Sequence, residues 1–229
     1  MNPRHFLKST ATGTIALNAF PHHLFASETK KDATDRVKLG PRNVEVSRLA
    51  QGTSTGGVGG SSNQTRKLGM RGLADLFIAG YDNGLMLWDS ADQYGTHPYI
   101  HEALKKAPRE KVAILTKTHA SNEKEMRADL DHFRRTHGTS CHTLGALKAA
   151  ASSPWVEVDL ARFNAAQVLM DSTPAEVYPA LGQMKASGKG VIGMKILGAG
   201  KLRGKPDECL QFTLAHNHID CFTAASVRG

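Results

Sequence analysis

What is scarce in this sequence narrows it first. Its 229 residues include three cysteines, Cys141, Cys209 and Cys221, widely spaced and without a CxxC pair. That excludes a disulfide framework and a zinc ribbon. Aromatic residues make up 6%, and no recognition motif accompanies them, so the net charge of +8 does not point to nucleic acid. The 29 basic residues are spread along the chain, as on a solvated surface. No stretch approaches the roughly 18 apolar residues of a membrane span, so no membrane partner is expected. HExxH and GxGxxG are missing too. His97 and His101 stand four apart and read as solvated helix residues, and His216-Asn217-His218 reads as a loop.

What remains is an alternation of short apolar runs and helical patterns, which argues for a parallel sheet. Val37 to Val46, with Gly40-Pro41-Arg42-Asn43 in its middle, reads as a hairpin. Strands are expected at Ser47–Thr53, Leu85–Asp89, Lys111–Lys117, Trp155–Leu160, Gly190–Ile196 and Ile219–Ala224. Helices are expected at Gln64–Gly80, His97–Ala107, Asn122–Arg135, Leu144–Ala151, Ala175–Ser187 and Asp207–Ala215. Gly56 to Gly60 reads as a flexible connector, with phosphate binding the weaker alternative.

The stretch from Leu85 to Lys117 carries the chemistry. Two strand-length apolar runs end in Asp89 and Lys117, and Tyr94 lies five residues past the first. In an α/β barrel the C-terminal ends of strands face the active site, so consecutive strands would deliver all three to one cluster. An ammonium beside a phenol favours the phenolate and lowers a tyrosine pKa from about 10. An aspartate beside that lysine would hold it charged and in place. Such a tyrosine can give a proton to a carbonyl oxygen near neutral pH.

At Asp89-Ser90-Ala91-Asp92-Gln93-Tyr94-Gly95 and Ile114-Leu115-Thr116-Lys117 the chain resembles the aldo/keto reductase family. The resemblance implies a TIM-type (β/α)8 barrel and hydride transfer from NADPH to an aldehyde or ketone. The family uses a tetrad of Asp, Tyr, Lys and His. Asp89, Tyr94 and Lys117 fall on three of those positions, and the fourth, a histidine ending the next strand, has no counterpart. His119, two residues past Lys117, would share its side if the strand continued.

The order breaks after Thr136. Gly138-Thr139-Ser140 resembles the end of the family's fifth strand and follows the third helix at once. The missing piece is on the order of 50 residues, since a βαβ unit takes about 30 or more. His137 and His142 flank the break, as candidates to replace the missing histidine or equally as loop residues. The expected fold class is therefore α/β, a (β/α)8 barrel lacking its fourth strand and helix, over residues 37–229. The family's closing segment, which grips the adenosine phosphate, is not recognised before Gly229 either.

The resemblance also implies cofactor contacts. Ser140 matches the serine that meets the nicotinamide amide, with Cys141 replacing its usual Asn partner. Asn164 is a looser match after the next strand. Gly198 and Gly200 follow the seventh strand, where barrels commonly hold phosphate, with Lys201 and Arg203 nearby. A plain Gly-rich turn is the alternative there. Residues 1–27 resemble a twin-arginine export signal with a damaged arginine pair, Pro3-Arg4, followed by a linker over 28–36. Periplasmic export is the expectation, a cytoplasmic tail the alternative. Two functions stay open: an NADPH-dependent carbonyl reductase, and a non-catalytic remnant or nucleotide-binding module on the same scaffold.

Overall fold

The computed structural model describes residues 31–118 and 138–225. The signal-like segment, the helix expected over Asn122–Arg135, and His119 and His137 lie outside the described residues. Nine strands are described: β1 (Arg36–Leu39), β2 (Val44–Ser47), β3 (Leu49–Gly52), β4 (Leu87–Asp89), β5 (Ala113–Leu115), β6 (Gly138–Cys141), β7 (Val158–Arg162), β8 (Gly190–Met194) and β9 (Cys221–Ala225). The helices are α1 (Asn63–Asp82), α2 (His97–Ala103), α3 (Leu144–Ser152), α4 (Pro174–Ala186) and α5 (Pro206–Leu214).

β1 and β2 pair antiparallel as the expected hairpin, turned through Gly40 at φ +66°. The other seven strands form one parallel sheet in the order β5-β4-β3-β9-β8-β7-β6. The sheet curls as a (β/α)8 barrel does, with helices outside and the fourth strand absent from the described residues. The joint between first and last strands is made, Leu49 to Gly52 pairing with Phe222 to Ala225. β5 and β6, which flank the break read from the sequence, are the two edges of the described sheet.

Alternation along the strands sends side chains to both faces of the sheet, one toward the interior and one toward the helices. Leu87, Leu115, Val158, Leu160, Ile192, Met194 and Cys221 turn inward and meet Leu39 and Val46 of the hairpin. That hairpin closes the N-terminal end: a Cβ added to Gly190 would lie 2.7 Å from Leu39 Cδ1 and 2.8 Å from the Gly40 nitrogen. The outward residues meet helices. Trp88 and Phe77, both 0% exposed, pack at 4.7 Å between ring centroids, joining β4 to α1. Burying one such side chain contributes about 2–3 kcal/mol. Ala161 and Val191 meet Leu147, Leu181 and Met184 of α3 and α4.

Helix boundaries follow local chemistry. Ser62 caps α1 through a reciprocal box with Thr65, and Thr173 caps α4 through one with Glu176. Gly188, at φ +75°, closes α4 as its position suggests. Several expected elements are shorter, among them the strand expected over Lys111–Lys117, which spans Ala113–Leu115, and the one expected over Ser47–Thr53, which spans Leu49–Gly52. The strand expected from Trp155 begins at Val158, and Trp155 sits in the preceding turn, 46% exposed. The helix expected to run to Ala107 ends at Ala103, after which the chain continues in turns. Among the described residues no helix is long and apolar enough to cross a membrane.

Candidate active site at the C-terminal mouth of the sheet

The inward parity that fills the barrel with Leu87 and Leu115 carries Asp89 and Lys117, two residues further on, to the mouth. Asp89 is 6% exposed. Its Oδ1 accepts a hydrogen bond from Lys117 Nζ, and its Oδ2 accepts one from Thr223 Oγ1 on β9 at 2.7 Å. Both carboxylate oxygens are thus satisfied, which a buried charge requires.

Tyr94 arrives by a different device. Asp92–Tyr94 is a single 3₁₀ turn closed by Gly95 at φ +64°. The Asp92 N–H donates to the Lys117 carbonyl at 3.0 Å, tying the turn to the lysine's own backbone. Lys117 Nζ stands 5.2 Å from the centroid of the Tyr94 ring, within cation–π range. The three residues expected to meet therefore do. The Gly-rich loop serves this turn. A Cβ added to Gly57 would lie 2.5 Å from Tyr94 Cδ1, one added to Gly95 would lie 1.9 Å from the Gly60 carbonyl oxygen, and the Gly60 N–H donates to Gln93 at 2.9 Å. Glycine is required there by close approach of backbone to ring.

The cofactor candidates part company. Ser140 faces the interior, its Oγ 3.7 Å from Met194 Sδ, a weak contact that leaves the hydroxyl free to turn. Asn164, 1% exposed, spends its amide on its own loop. Its Nδ2 donates to the carbonyls of Val168 at 2.9 Å and Lys195 at 3.2 Å, and its Oδ1 accepts from the Val168 N–H at 2.9 Å. Gly198 and Gly200 take φ +56° and +92°, as a turn of this kind needs. The N–H groups of Gly198, Gly200, Lys201, Leu202 and Arg203 all donate to carbonyls of the same segment. They are committed to the turn and not displayed as an anion cradle. Lys201 and Arg203 are exposed.

Four neighbours of the site escaped the sequence reading. His97, taken as a solvated helix residue, bonds Thr116 Oγ1 through Nε2 at 2.8 Å and stands 3.7 Å from Asp92 Oδ1 through Nδ1. Arg162 shares the inward parity of Val158 and Leu160, a signal strand periodicity did offer. It donates from Nη1 to the Leu169 carbonyl at 2.6 Å and from Nη2 to His142 Nδ1 at 2.8 Å. Burial, and then the charges of Arg162 and Lys195, push the His142 imidazole below its usual pKa, so it suits the role of acceptor. Lys195 follows β8, half-buried, and burial followed by the Arg162 charge lowers its ammonium pKa, with Asp89 opposing.

Comparison with known proteins gives one consistent answer for the fold. No family model matches the chain, and no curated protein matches it. Solved structures do. One, from Pseudomonas aeruginosa and assigned as an aldo-keto reductase, superimposes with a TM-score of 0.63 at 14% identity, covering 86% of this chain and 91% of that one. The aldo-keto reductase of Bacillus halodurans in its holo form gives 0.58 at 13% identity, covering 85% and 86%. An aldo-keto reductase complexed with NADPH gives 0.56 at 15% identity, covering 86% and 80%. The chain therefore has the aldo-keto reductase fold, as an incomplete (β/α)8 barrel.

Proposed function

We propose that this chain is an NADPH-dependent reductase of small aldehydes or ketones. The observation that supports it most is the Asp89–Lys117 pair set against the face of Tyr94 at the mouth of the sheet. When bound, NADPH supplies the hydride that the carbonyl carbon accepts. Tyr94 gives its proton to the carbonyl oxygen and recovers one from solvent. Lys117 stabilises the phenolate left behind, and Asp89, held by Thr223, keeps Lys117 in place. For the cofactor itself, Ser140 Oγ has the freedom to meet an amide, and Lys201 and Arg203 the charge to meet a phosphate. The committed amide of Asn164 and the committed N–H groups of the 198–200 turn do not serve it.

The test pairs binding with turnover. NADPH should quench the protein fluorescence and support reduction of 4-nitrobenzaldehyde. Tyr94→Phe should lower kcat by about 10²–10⁴ while the NADPH Kd stays put, because only the proton donor is gone. Absence of NADPH binding at millimolar concentration would reject the proposal. A second reading, a non-catalytic remnant, draws on the edge strands β5 and β6, which do not pair with each other in the described sheet. It expects a weakly cooperative melt and no turnover.

A further inference from the structure

The mouth of the sheet gathers three cations, Lys117, Arg162 and Lys195. Lys117 has Asp89 as its partner. Arg162 and Lys195 have no carboxylate partner among the described residues, and Arg162 Nε is buried without a hydrogen-bond acceptor. Both sit where adjacent strands end. Arg162 stands opposite Met194 in the β7–β8 ladder, and Lys195 is the next residue along.

Lys195 is held there by construction. Its φ is +59°, a left-handed conformation that is strained for a non-glycine residue. Two donors fix its carbonyl in that conformation, the Gly198 N–H at 2.8 Å and Asn164 Nδ2 at 3.2 Å. Lys195 is half-buried, and the Arg162 and Lys117 charges bear on its ammonium and disfavour it, while Asp89 favours it. Half-buried cations without a counter-ion are unfavourable, and a bound anion removes the penalty.

We propose that Arg162 and Lys195 form the recognition site for a carboxylate or phosphate group of the substrate, so that the molecules reduced are carbonyl compounds bearing an anionic group. This rests on the reductase reading above. Lys195 Nζ supplies the donor and the Arg162 guanidinium adds its positive charge, and the anion anchors the substrate with its carbonyl toward Tyr94. Neutral aldehydes lack that anchor.

The experiment compares 4-carboxybenzaldehyde with its neutral analogue, methyl 4-formylbenzoate, and measures binding of the redox-inert dianion terephthalate by calorimetry. In the wild type, kcat/KM for the carboxylate should exceed that for the ester by about tenfold or more, the value of one charged hydrogen bond. Lys195→Met should bring that ratio to about one and weaken terephthalate by a similar factor, and Lys195→Arg should restore both. Turnover with equal ratios and no terephthalate binding overturns the anion site while the reductase reading stands. Terephthalate binding lost in Lys195→Met, with no turnover of either aldehyde by wild type, overturns the reductase reading and the substrate class with it. A drop in NADPH affinity in Lys195→Met that scales both aldehydes equally also overturns the proposal, because the cations then serve the cofactor's phosphates.

Discussion

Lys117→Met probes the centre of the site without relying on any assay of activity. In the native chain the Asp89 side chain is 8% exposed and that of Lys117 19%, so the pair is largely removed from water. The substitution keeps most of the aliphatic stem and removes only the ammonium. Asp89 then retains a single partner, the Thr223 hydroxyl at 2.7 Å. Breaking a buried pair from one side costs about 3–5 kcal/mol, since the remaining charge stays buried. The surviving Thr223 bond and the position at the rim place the expected loss at about 3 kcal/mol, or a Tm lower by roughly 6–12 °C. Adding Asp89→Asn should return about 2 kcal/mol, because no unpaired charge is left to bury. Lys105→Met is the control. Its pair with Glu102 has side chains 58% and 42% exposed, and such pairs contribute about 0.5 kcal/mol or less. Urea unfolding of wild type, Lys117→Met, Asp89→Asn and the double variant gives the cycle. A coupling between positions 89 and 117 below about 0.5 kcal/mol would refute the reasoning, because the pair would then behave as an exposed one.

Two further expectations come from other parts of the fold. Burial raises the Asp159 carboxyl from 3.8 to about 6, with Cys141 and the charge of Lys189 offsetting only part of the rise. The folded state thus holds its proton more tightly than the unfolded state, so this contribution to stability is full below about pH 4 and is lost as pH rises through 6. Relative to Asp159→Asn, wild type should lose roughly 3 kcal/mol between pH 4 and 7, and parallel pH profiles in chemical unfolding would rule this out. Gly57→Ala would drive a Cβ to 2.5 Å from Tyr94 Cδ1 and should displace the ring, lowering stability by about 1–3 kcal/mol and aldehyde turnover by tenfold or more. Unchanged turnover in that variant would show the ring has room to move.

Much of this was readable because strand parity is a strict code. Once Leu87 and Leu115 face inward, Asp89 and Lys117 must as well, and the break after Thr136 left a sheet whose described edges are the two strands beside it. Arg162 obeyed the same parity and was available to be found. Lys195 was not: it lies one residue past β8 at a positive φ, and no periodicity reports where a side chain goes after such a turn. His97 lies in its helix with a side chain 40% exposed, as expected, and its bond to Thr116 was not legible because that residue follows β5, nineteen positions away in the chain. Asn164 showed the limit of positional matching, since residue type alone does not reveal that the amide is consumed by the loop that holds Lys195.

β9, the last described strand in the chain, is the middle strand of the seven. It stitches a wing made of β3, β4 and β5 to another made of β6, β7 and β8, through Leu49–Gly52 on one side and Ile192–Gly193 on the other. During synthesis each wing can gather its own helices, but the seam waits until residues beyond 220 have left the ribosome. Loop closure over so long a span makes joining slow, and the waiting edges are open to other chains. The carboxylate of Asp89 likewise waits for Thr223, so the mouth is completed by the same late event that completes the sheet.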